Sequence, residues 1–191
     1  MLHSKTVDET WSTQADALWP AETAVQNIML VVLGSLVMAL SAQFSVRLPW
    51  TPVPITGQTF GVLYVGALLG ARRGAAAAAL YLAEGAVCGL PFFASAAPLG
   101  PTLGYLLGFI PGAYVTGLLA ERGFDRRPWT AFAMTLAGSA PILALGLLGL
   151  SRFVPPSRLL VAGLWPFIPG DLLKCAAAAG LLPLGRRLIG R

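Results

Sequence analysis

Asp171 and Lys174 stand three residues apart in Pro169-Gly170-Asp171-Leu172-Leu173-Lys174, inside one of the most apolar stretches of the chain. On a helix that spacing puts both side chains on one face. A charge near the centre of a membrane-spanning helix costs about 2.5–3.5 kcal/mol on insertion scales, so ionisable residues at that depth are paired or functional. Two readings stay open: the pair neutralises itself, or Asp171 accepts hydrogen bonds from a ligand while Lys174 balances its charge. Thr56, Gln58, Thr59 and Glu84 also lie in or beside apolar runs. Acceptors, donors and a cation within apolar walls are what a small-molecule pocket requires.

Catalysis finds less support in the same residues. Pro169-Gly170-Asp171 is similar to the Gly-x-Gly-Asp element of intramembrane aspartyl proteases, which need two aspartates sharing a proton. Here Asp8, Asp16 and Asp125 all lie in polar segments. A serine hydrolase needs a histidine base, and the one histidine is His3. Cys88 and Cys175 stand alone in apolar context, so neither a metal site nor a redox pair is expected, and no cofactor is implied. No Gly-x-x-x-x-Gly-Lys-Ser/Thr loop is present, so nucleotide hydrolysis would belong to another chain. The expectation is a non-enzymatic binding subunit that borrows its energy from a partner. The alternative is a stand-alone secondary carrier for a small molecule, with Glu84 or Asp171 carrying a proton.

The elements that hold these residues are membrane spans. The 191 residues are 56% hydrophobic and 11% charged, against about 25% charged for a soluble domain, and mean hydropathy is +0.73. The formal net charge of +5 falls between apolar runs, as membrane topology requires, so a nucleic-acid partner is not expected. Apolar runs lie at about Val25–Val46, Gly57–Ala71, Gly74–Leu90, Thr102–Ala120, Trp129–Leu150 and Leu159–Leu184. With ~20 residues needed per crossing, the expectation is an all-α integral membrane protein with six transmembrane helices, the second and third short and the last interrupted. Pro111, Pro141 and the Pro166/Pro169 pair mark kinks or half-helix starts. Residues 1–23 read as a polar cytoplasmic tail without a signal peptide, and residues 24–191 as one six-helix substrate-binding domain.

Lys5, Arg72, Arg73, Arg122, Arg126, Arg127, Arg186, Arg187 and Arg191 fall on the side of both termini, against Arg47, Arg152 and Arg158 opposite. Nine against three predicts cytoplasmic termini. Gln58, Glu84, Asp171 and Lys174 then share the outer half, beneath the loops Thr51–Thr56, Pro91–Thr102 and Ser151–Ser157. Trp50, Tyr81, Phe92 and Tyr105 are candidates to cover the apolar parts of a ligand. Each has a plainer reading: Gln58 as a helix cap, Glu84 as a bond to a neighbouring helix, the aromatics as packing or interface belt. Ser35 and Ala39 form a small-xxx-small pair that permits close helix approach, within the chain or with a partner.

Thr51-Pro52-Val53-Pro54-Ile55-Thr56-Gly57-Gln58-Thr59-Phe60, followed by Gly66-Ala67-Leu68-Leu69-Gly70, resembles the signature of the BioY family, the biotin-binding S components of energy-coupling factor (ECF) transporters. Leu80-Tyr81-Leu82-Ala83-Glu84-Gly85 with Gly89-Leu90-Pro91-Phe92-Phe93, Gly100-Pro101-Thr102-Leu103-Gly104-Tyr105-Leu106-Leu107-Gly108-Phe109, and Pro166-Phe167-Ile168-Pro169-Gly170-Asp171-Leu172-Leu173-Lys174 agree in order. Ala97-Pro98-Leu99 and Leu103 replace glycines that many members carry. The resemblance implies the six-helix S-component fold, biotin capture from outside, and a complex with one transmembrane coupling protein and two ATPases. It also implies that Ser35 and Ala39 on the first helix face the coupling protein. For biotin, Asp171 with Glu84 or Gln58 would accept from the ureido nitrogens, and Trp50, Phe92 and Tyr105 would enclose the rings. The carboxylate would meet Lys174, or Arg47 or Arg152 at the mouth.

Overall fold

The computed structural model describes residues 13–18, 23–88 and 100–189; Phe92 lies outside them. The described chain is helical almost throughout: α1 (Gln14–Leu18), α2 (Ala24–Ala42), α3 (Gln58–Leu69), α4 (Ala71–Cys88), α5 (Leu103–Glu121), a 3-10 turn (Phe124–Arg126), α6 (Pro128–Leu150), α7 (Pro156–Gly163) and α8 (Phe167–Ile189). Each expected apolar run holds a helix, and the last is divided by the turn Leu164–Pro166. Four segments are long and apolar enough to cross a bilayer: Ala24–Ala42, Leu103–Glu121, Pro128–Leu150 and Pro156–Arg187 read through that turn. α3 is apolar but shorter, and α4 carries Arg72, Arg73 and Glu84. Pro111 and Pro141 sit inside uninterrupted α5 and α6, whereas the Pro166/Pro169 pair does accompany a break, which lies before Phe167.

Between α2 and α3 the chain makes a short antiparallel pair, β1 (Ser45–Val46) with β2 (Ile55–Thr56), in the register Ser45↔Thr56 and Val46↔Ile55. The Gly57 N–H donates to Phe44 O at 2.8 Å and closes it. That pair delivers Thr56 and Gln58 to the head of α3.

α5 lies at the centre and packs on α3, α4 and α6. Small residues make these approaches possible. A Cβ on Gly66 would lie 2.6 Å from Ala113 O, and one on Gly108 2.6 Å from the Ile142 Cα, so backbone meets backbone at both crossings. Met38, Leu63, Tyr81, Phe109, Met134, Leu150 and Leu182 are fully enclosed. The outer faces are apolar as well: Val25, Ile28, Leu33 and Leu40 of α2 are exposed, as are Leu148, Leu173 and Leu184. Exposed aliphatic faces on every long helix are what lipid, not water, would cover.

The end opposite the β pair is tied by polar bonds. Arg73 at the start of α4 donates to Asp16 of α1 and, through Nε, to Asn27 of α2 at 2.6 Å. Asp125 in the 3-10 turn is fully buried and accepts from Arg186 Nε at 2.6 Å and Gln14 Nε2 at 3.0 Å. Gln14 also reaches Leu182 O at 2.9 Å. Within the segment expected to be a polar cytoplasmic tail, α1 is a docked helix that adds hydrogen-bond partners to buried groups.

Candidate functional site

The site begins where α7 stops. A helix end leaves carbonyls without intrahelical partners, and here two side chains from elsewhere supply them. The Thr51 hydroxyl donates to Ala162 O at 2.6 Å, and the Tyr105 hydroxyl donates to Gly163 O at 2.6 Å. These bonds fix the turn Leu164–Pro166 against the β1–β2 loop and α5, and so set where α8 starts. Phe167, its first residue, packs tilted on the Tyr105 ring with centroids 5.4 Å apart. The Tyr105 ring in turn lies over Gly146 of α6, where any Cβ would run into it.

One turn into α8, Asp171 is 5% exposed. Lys174 Nζ donates to its Oδ1 at 3.1 Å, and both side chains are mostly shielded, at 7% and 15% exposure. Among the described residues Lys174 is the one hydrogen-bond partner of Asp171, and Oδ2 is left for another donor. Across from this pair the head of α3 presents Gln58, whose Oε1 accepts from Thr56 Oγ1 at 2.8 Å and whose Nε2 donates to Tyr81 Oη at 2.5 Å.

A cavity of about 600 Å³, counting its open mouth, joins these groups. Thr56, Gln58, Tyr105, Asp171 and Lys174 all line it. Its apolar wall includes Phe109, Ile142 and Phe167, none of which the sequence reading singled out. Phe109 was within reach of it, since Phe109 follows Tyr105 by four residues and so shares its helix face. Nothing in the pattern of α6 distinguished Ile142.

Several expected residues lie elsewhere. Tyr81 is fully enclosed behind Gln58 and does not line the cavity. Glu84 faces α2, where its Oε1 accepts from Ser35 Oγ at 3.2 Å and its Oε2 is buried without a partner among the described residues; it is not part of the cavity lining. Trp50 is 63% exposed at the loop surface and does not wall the site. Arg47 and Arg152 are exposed and outside the lining. Ser35 and Ala39 are buried within this chain, not on an outward face, because the side of α2 that carries them packs on α3 and α4. No group of three or more potential metal ligands occurs among the described residues.

Comparison with known proteins covers these same elements. Named biotin transporter BioY, a protein from Thermotoga maritima is 41% identical over 140 residues, spanning 70% of this chain and 81% of its own length. Proteins of the same name from Rhodobacter capsulatus and Rhizobium etli are 39% and 34% identical over 170 residues, covering 78% and 80% of this chain and 87% and 88% of their own. A crystal structure described as the S-component for biotin from an ECF-type ABC transporter superposes with a TM-score of 0.74 at 24% identity, over 85% of this chain and 92% of that one. The fold is therefore the S-component fold. Residues 11–191 match the BioY family, a span that takes in every element lining the cavity, and the chain belongs to that family.

Proposed function

We propose that this chain captures biotin in the cavity between α3, α5, α6 and α8 and is the substrate-binding S subunit of an ECF-type ABC transporter. The observation that carries this reading is the family match over residues 11–191, which includes both the signature around Gln58 and the Asp171–Lys174 pair. ATP hydrolysis belongs to two partner ATPases joined through a transmembrane coupling protein. The chain crosses the inner membrane six times, α3 and α4 being short crossings sheltered by neighbouring helices, with the termini in the cytoplasm and the cavity mouth outside.

Biotin presents a ureido ring with two N–H donors and a carbonyl, an apolar sulfur ring and a valerate carboxylate. Asp171 Oδ2 accepts from one ureido nitrogen, Lys174 keeps the buried carboxylate balanced, and Tyr105, Phe109 and Phe167 enclose the rings. A hydrogen bond to a charged group contributes about 1.5–3 kcal/mol, whereas nanomolar binding needs about 12 kcal/mol. Apolar enclosure supplies most of the difference.

Calorimetry of the purified protein with biotin, thiamine and riboflavin tests the assignment. Saturable tight binding of biotin alone is expected; absence of biotin binding overturns it. Uptake that follows an ion gradient in cells lacking any ATPase module would favour the stand-alone carrier instead.

A further inference from the structure

Tyr81 is buried to 0% exposure, yet it meets the cavity through two residues that line it. Its hydroxyl oxygen accepts from Gln58 Nε2, and its ring stacks on Phe109 with centroids 6.4 Å apart. At the other end of the same carboxamide, Thr56 Oγ1 donates to Gln58 Oε1. A carboxamide has two N–H donors and two carbonyl lone pairs. The two hydroxyls take one of each, which leaves one N–H and one lone pair. Gln58 is 5% exposed and lines the cavity, and among the described residues no other side chain bonds the leftover pair, which a ligand in that space could meet.

A planar group offering a donor beside an acceptor is complementary to one edge of a cyclic urea, where C=O stands beside N–H. Two such planes meeting edge to edge form two parallel hydrogen bonds. That match is sharp only if the amide plane is held, because a freely turning glutamine spends its rotamer freedom on binding. We propose that Tyr81 and Thr56 are positioning residues that clamp the Gln58 carboxamide so that it reads the carbonyl edge of the ureido ring. This rests on biotin being the ligand. It gives Gln58 the selective contact and leaves Asp171 the opposite nitrogen.

The test uses biotin and 2-thiobiotin, whose C=S is a poorer acceptor than C=O. Tyr81→Phe keeps the ring and removes the oxygen that holds Nε2. Biotin affinity is expected to fall about tenfold, the worth of roughly one net hydrogen bond. The preference for biotin over 2-thiobiotin is expected to shrink about threefold or more. Thr56→Val should act the same way, and Thr56→Ser should restore wild-type behaviour. In a Gln58→Leu background, adding Tyr81→Phe should change neither quantity, because the residue it positions is gone. If Tyr81→Phe weakened biotin equally with and without Gln58, or left the preference unchanged, Tyr81 would be packing only and the inference would fall while biotin binding stood. Failure of the wild-type protein to bind biotin would overturn both. Should Tyr81→Phe not fold, the Thr56→Val and Thr56→Ser pair decides alone.

Discussion

Asp171 and Lys174 are, among the described residues, the one ion pair in the cavity wall, and their value differs according to which partner is removed. Breaking a buried pair strands a charge and costs about 3–5 kcal/mol, whereas removing both members together is often near neutral. Lys174→Ala should therefore lower the melting temperature sharply, and Asp171→Asn added to it should recover most of the loss. Biotin affinity should behave differently, falling by about 1.5–3 kcal/mol with Asp171→Asn alone and not recovering in the double variant. Thermal melting and calorimetry on the three variants separate these effects. Additive losses in both measurements would mean that the residues act independently. Glu84 shows what sequence could not supply at this scale. Which apolar run each residue occupies was legible, but the azimuth around α4 was not. Tyr81 and Glu84 lie three residues apart, and the small rotation between them sends one towards α3 and α5 and the other towards α2. Both faces are apolar enough that no periodic signal chose between them. For Ser35 and Ala39 the sequence left both the inward and the partner-facing reading open.

At the scale of elements, what sequence revealed followed chemistry that is local. Apolar runs and prolines located α2, α3, α5 and α6 closely, and Pro166 marked the break before α8. The two-residue strands β1 and β2 escaped notice, being too short to show alternation. Docking of α1 escaped too, because its contacts depend on residues more than a hundred positions away in Asp125 and Leu182. The α5–α6 crossing offers a direct test of how elements set the site. Gly146→Ala would drive a methyl into the Tyr105 ring, and overpacking of this kind costs about 1–3 kcal/mol. The displaced ring would strain the bond to Gly163 that seats the start of α8. Lower thermal stability together with at least about tenfold weaker biotin binding is expected; unchanged binding would show that Tyr105 is not needed where it stands. The α1–α4 contact has a pH signature. Burial pushes the Asp16 carboxyl up, but the hydrogen bond and charge of Arg73, with hydrogen bonding by Thr13, outweigh it and hold the group below its ordinary value. A carboxylate lowered in the folded state stabilises fully above its unfolded pKa and loses that contribution as pH falls through the folded value. Melting curves taken downwards from about pH 5 should fall more steeply for wild type than for Asp16→Asn. Parallel curves would mean that the ion pair contributes nothing.

The whole molecule has two chemically distinct ends. The cavity, the β1–β2 loop and the α6–α7 connection share one. The other gathers α1, the start of α4, the 3-10 turn and the end of α8, held by Arg73 on Asp16 and Arg186 on Asp125. Arg72, Arg122, Arg126, Arg127 and Arg187 belong to this second end by position in the chain. Since an excess of Lys and Arg marks the cytoplasmic side, the proposed orientation puts this basic end in the cytoplasm and the cavity mouth outside. Cysteine labelling tests the orientation as a property of the whole fold. In a Cys88→Ser, Cys175→Ala background, Ser157→Cys places an exposed thiol at the cavity end and Arg122→Cys places one at the basic end. A membrane-impermeant maleimide should label Ser157→Cys in intact cells and Arg122→Cys only after the membrane is permeabilised. The reverse pattern would turn the cavity towards the cytoplasm, and the chain could then not capture its ligand from outside, however well the cavity fitted it. Labelling of both positions in intact cells would break the segregation of charge on which an even number of crossings rests.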